Sequence, residues 1–82
     1  MRGMKVHVMK LNENEVRKEF PITGEVPGWF FRMREIANLC WVVEGTDLWG
    51  RTVRQDGHDE RVLLESCHEA ARRIIAQLEP PA

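Results

Sequence analysis

Apolar residues recur three and four apart through the last third of the chain. Leu63, Leu64, Cys67, Ala70, Ala71, Ile74, Ile75 and Leu78 fall on one stripe of a helix running from Asp59 to Leu78. Asp59 suits the N-cap, where its carboxylate accepts from free backbone N–H groups and meets the positive end of the helix dipole. Pro80-Pro81 stop the helix. Upstream the period changes from 3.6 to 2. Trp29, Phe31 and Met33 alternate with Phe30, Arg32 and Arg34, and Ala37-Asn38 offers a tight turn. Cys40 to Thr46 then opposes Trp41 and Val43 to Cys40, Val42 and Glu44. A third strand is expected from about Trp49 to Gln55, closed by Asp56-Gly57, so that the three form a meander.

The first 28 residues are less plainly patterned. Val6 and Val8 alternate with His7 and Met9 as in a half-buried strand from Lys5 to Lys10. Val16, Lys18 and Phe20 can form its return partner across an Asn12-Glu13-Asn14 turn. A rival reading makes Asn12 an N-cap with Glu15 at the capping-box position, starting a short helix that Pro21 ends. The hairpin is preferred because a two-turn helix is marginal alone and a strand needs a neighbour for its backbone. Pro21, Gly24, Pro27 and Gly28 mark a turn or bulged crossover. The expected fold is α+β: an antiparallel sheet of four or five strands with one long C-terminal helix packed on one face. Residues 1–79 would be a single domain and 80–82 a disordered tail.

At 82 residues the chain can build one core. Its 43% hydrophobic and 30% charged residues lie far from the composition of disordered chains. The net charge of −1 gives no global attraction for nucleic acid or an anionic membrane, so any basic surface must be local. No apolar run reaches signal-peptide or membrane-span length, and a cytoplasmic location is expected. Cys40 and Cys67 lack Cys-x-x-Cys spacing and read as packed thiols.

Residues that could carry chemistry are few. Cys67-His68 pairs a nucleophile with a base, but helix neighbours point about 100° apart and Cys67 falls on the apolar stripe. His7, His58 and His68, with Asp56 and Asp59, match no metal signature. Gly45, Gly50 and Gly57 are too scattered to cradle phosphate and read as turn glycines. No catalytic residue, metal site or cofactor is therefore expected, and the chain reads as a non-enzyme.

Two binding readings stay open. Phe30, Trp41 and Trp49 are more aromatic surface than one helix covers, which implies a protein partner or a second copy, a homodimer being the simplest form. Alternatively Arg32, Arg34, Arg51 and Arg54 can line a sheet face beside Phe30 or Trp49 and meet phosphates and bases. Against the second stands Glu44, which can pair with Arg32 and Arg34 across neighbouring strands.

Asp47-Leu48-Trp49-Gly50, then a strand, Gly57 and a helix carrying Leu63, Leu64, Cys67, Ala70 and Ala71, resembles the HicB-type antitoxins over Trp29 to about Ile75. The resemblance implies a β-β-β-α core like a partial ribonuclease H, without catalysis, that binds a small toxin protein. Trp49 stands where that family has proline, and residues 1–28 have no counterpart. The family's C-terminal DNA-binding segment is missing too, so no residue role carries over.

Overall fold

The computed structural model describes residues 10–78. In order it contains α1 (Glu13–Glu19), β1 (Trp29–Ala37), β2 (Cys40–Asp47), β3 (Thr52–Gly57) and α2 (Glu60–Leu78). The strands form one antiparallel sheet in the order β1-β2-β3. The α+β class, the meander and the long helix agree with the sequence pattern. The described sheet has three strands rather than four or five.

The missing return strand is α1. Asn12 has extended backbone and its Oδ1 accepts the Glu15 N–H at 3.2 Å, so the N-cap forms. Glu13 and Glu15 sit in the first turn, Arg17 and Lys18 in the last, and Arg17 pairs with Glu13 at 2.7 Å. What makes so short a helix viable is tertiary. Val16 is buried, and the Arg17 guanidinium lies 5.5 Å over the Phe30 ring of β1. The proposed partner strand, Lys5 to Lys10, lies almost wholly outside the described residues, as does the 80–82 tail.

A vestige of a fourth strand survives at the β1 edge. Ile22 and Phe31 exchange both backbone bonds, at 2.9 and 2.8 Å. The ladder stops on one side because Phe20 N–H donates to Val16 O to close α1. On the other, Gly24 takes a φ of +106° and turns the chain away.

Helix α2 starts on Asp59, whose Oδ1 accepts from the N–H groups of Arg61 and Val62 at 3.1 and 3.2 Å. It lays Leu63, Cys67 and Ala71 against Trp29, Phe31 and Val43, with Val26 closing the cluster. Gly45 sits opposite Phe31 in the register, and a Cβ there would collide with the Phe31 ring. It is a packing glycine in mid-strand, not the turn glycine expected. Gly50, at φ +89°, does serve a turn.

The register sorts the remaining large residues. Trp29, Phe31, Met33, Trp41, Val43 and Val53 share the helix-facing side. Phe30, Arg32, Arg34, Val42, Glu44, Thr46 and Arg54 share the other. Trp41 is half-buried against the core, and Phe30 is only 4% exposed beneath Arg17 of α1. Neither is the free aromatic surface the pattern implied.

Candidate binding groove

Asp47 organises the connection from β2 to β3. Its Oδ1 accepts from the N–H groups of Trp49 and Arg51 at 2.8 and 2.9 Å, and its Oδ2 pairs with Arg51 Nη1 at 3.0 Å. The carboxylate is almost fully enclosed, so the turn is held from inside and Leu48-Trp49-Gly50 are presented outward. Trp49 is 48% exposed. Leu11 N–H donates to Leu48 O at 2.7 Å, and Lys10 Nζ stands 5.9 Å from the centre of the Trp49 ring.

Beside this turn lies a groove of about 680 Å³. Val26, Pro27, Gly28 and Trp29 form one wall, Leu48 and Trp49 another, and Ile75 and Leu78 of α2 a third. Lys10, Arg51 and Arg72 stand in its lining. Asp47 is the one carboxylate there among the described residues, and it is engaged by Arg51 and the turn. The groove therefore combines an apolar floor bearing two tryptophans with a cationic surplus.

The predicted site residues divide. Arg32 and Arg34 of β1 and Arg54 of β3 converge on Glu44 of β2 from either side, with nitrogen–oxygen separations of 2.9, 3.9 and 3.9 Å. Arg32 is further held by Glu19 at 3.8 Å and stacks 4.3 Å over Phe20. Arg51 is not among them: it belongs to the Asp47 turn and the groove, with Trp49. Phe30 and Trp41 join neither surface. The pairing of Arg32 and Arg34 with Glu44 was foreseeable from the strand register.

From the sequence, Lys10, Trp29, Arg72, Ile75 and Leu78 are not expected as binding residues; Trp29, Ile75 and Leu78 read only as apolar positions of a strand and a helix. One signal could have found the last two. A 19-residue helix is about 28 Å long, whereas the six residues of β3 span about 20 Å. The apolar stripe at the far end of α2 overruns β3 and needs a different neighbour.

The Cys67-His68 pair offers no chemistry. Burial pushes the Cys67 thiol up to about 11, and its Sγ donates to Val43 O at 3.5 Å. Burial also lowers the His68 pKa, with Arg72 adding to that and Glu25 and Glu65 opposing it. The imidazole meets the Phe31 ring edge-on at 4.7 Å, and its Nε2 is buried without a partner. His58 Nδ1 lies 2.8 Å from Leu39 O at the β1–β2 turn. Among the described residues no three His, Cys, Asp or Glu side chains are grouped to hold a metal, and no helix is long and apolar enough to cross a membrane.

No family model, curated protein or solved structure matches the chain. The antitoxin resemblance gains nothing from them and stays with the residues that suggested it, Asp47-Leu48-Trp49-Gly50, Gly57 and the apolar positions Leu63, Leu64, Cys67, Ala70 and Ala71.

Proposed function

We propose that the chain is a non-enzymatic protein-interaction module whose recognition surface is the Trp49 groove. The observation that carries this reading is a half-exposed tryptophan, its backbone fixed by Asp47, at the mouth of an apolar groove. Covering the exposed half of a tryptophan is favourable, and aromatic anchors dominate interface energetics. The groove volume of about 680 Å³ lies within the range of roughly 300–1,000 Å³ typical of pockets that enclose a bound group. With Arg51 paired to Asp47, the surplus of Lys10 and Arg72 favours a partner segment with carboxylates flanking its apolar anchor.

The test is selection from a displayed random-peptide library on the immobilised chain, followed by titration of synthetic winners by tryptophan fluorescence. Peptides combining a bulky apolar residue with Asp or Glu are expected. Their binding should weaken at least about tenfold in Trp49→Ala and Arg72→Glu. Failure to enrich such peptides, or binding indifferent to both substitutions, would refute the reading.

Nucleic-acid binding through the sheet has less support. Arg32, Arg34 and Arg54 share Glu44, and Glu19 takes a further part of the charge of Arg32. It requires binding of a labelled oligonucleotide that falls steeply with salt and is lost in Arg34→Glu.

A further inference from the structure

The two edges of the sheet are not equivalent. At the β1 edge, Ile22 occupies the outward groups of Phe31, and α1 packs nearby. At the β3 edge, no described residue pairs with the outward groups of a six-residue strand that carries no proline and no bulge. Which groups point outward follows from the ladder. Because Phe31 bonds to Ile22 on the outer side, β1 bonds β2 through residues 30, 32 and 34, which face 46, 44 and 42. That leaves 41, 43, 45 and 47 of β2 for β3, consistent with the Asp47 N–H donating to Arg51 O. Their β3 partners are Val53, Gln55 and Gly57. Thr52, Arg54 and Asp56 therefore turn their N–H and C=O groups away from the sheet.

We infer that β3 is a self-association edge, pairing antiparallel with β3 of a second copy about a two-fold axis at Gln55. In this register each Arg54, 60% exposed and only 3.9 Å from a Glu44 that Arg32 and Arg34 also share, lies opposite Asp56 of the other copy, so the two-fold produces two opposite-charge pairs from one short strand. The same four residues exchange both backbone bonds in each pair, because their outward groups have no partner among the described residues. On the helix side the two Gln55 amides meet, each able to donate and accept, and Val53 faces Gly57, which has no side chain to obstruct it. The neighbouring register, centred on Arg54, sets two guanidiniums face to face and is disfavoured. Charge complementarity thus selects both the occupant and the register. This surface is separate from the Trp49 groove and does not depend on its reading.

The test uses the full chain and two single charge reversals at exposed positions, Arg54→Asp and Asp56→Arg. Sedimentation equilibrium should show a concentration-dependent dimer for the wild type. Each variant alone places like charges opposite each other at both pairs, and its dissociation constant should rise by roughly tenfold or more. Mixed in equal amounts the two variants restore opposite charges at both pairs and should form a heterodimer. Circular dichroism of each variant guards against a folding defect, and recovery on mixing excludes one outright. A wild type that stays monomeric at millimolar concentration, or a dimer unaffected by either reversal, would overturn the inference. So would loss without recovery on mixing. A dimer abolished by Trp49→Ala but not by Asp56→Arg would place self-association in the groove instead.

Discussion

Replacing Gly45 with alanine is expected to be destabilising, although alanine is ordinarily the better residue inside a strand. Gly45 has no left-handed φ, so the backbone accepts a side chain. Stiffening the unfolded chain alone would then stabilise by about 0.4–1 kcal/mol. Against that, the added Cβ would overlap two carbons of the Phe31 ring and come within 3.1 Å of Val53 Cγ2. Phe31 is 1% exposed and wedged among Trp29, Val43 and His68, so it has little room to turn. Overpacking of this kind costs about 1–3 kcal/mol, or more when the obstacle is a rigid ring. The net expectation is a loss of roughly 1–2 kcal/mol, which for a domain of this size lowers Tm by about 4–15 °C. Urea denaturation followed by tryptophan fluorescence measures it. The Phe31→Leu variant separates collision from any other effect of Gly45. Alone it destabilises by leaving a void, but combined with Gly45→Ala it should cost at least about 1 kcal/mol less than the sum of the two. An unchanged or stabilised Gly45→Ala protein, or strict additivity in the double variant, would refute the packing role.

Three further outcomes follow from the same structure. Burial lowers the folded-state pKa of His68, so the unfolded chain binds more protons just below pH 6.5. Stability conferred by the neutral ring should be complete above pH 6.5 and decline as pH falls from there toward the folded value. His68→Phe should flatten urea midpoints between pH 7.5 and 5.5, and an equal slope in both proteins would exclude the effect. Cys67, with its thiol pushed up to about 11, should resist a disulfide reagent at pH 8 until the protein unfolds, whereas half-buried Cys40 reacts in the native state. Two thiols titrating together in native buffer would contradict the packing of α2. Asp47→Ala removes acceptors for Trp49, Arg51 and the Arg51 guanidinium, and should destabilise by about 1–3 kcal/mol while weakening peptide binding. Asp47→Asn, which keeps Oδ1, should recover most of the turn, and equal damage from both would show that the charge rather than the geometry matters.

The meander and the long helix were legible because their periodicities are local. A stripe at three and four, or an alternation of two, records which side of an element is dry whatever lies against it. The Asp59 cap was legible for the same reason, since it acts within one turn. Residues 11–20 were not decided locally. Asn12 and Glu15 encode a cap, Val16, Lys18 and Phe20 an alternation, and either is too short to stand alone. The choice fell to α1 because Val16 is buried and Arg17 docks over Phe30 of β1, a contact between residues 13 positions apart that no local pattern records. The same docking removed Phe30 from the expected binding surface. Trp41 left it because its place in the register faces the helix. Trp49 kept its exposure because Asp47 fixes the turn around it. The groove joins Lys10, the Val26–Trp29 loop, the β2–β3 turn and the end of α2, four segments whose proximity follows from chain crossings. Sequence by itself determined the elements and which of their faces are apolar; which apolar residues stay uncovered is a property of how those faces meet, and only the tertiary structure decided that.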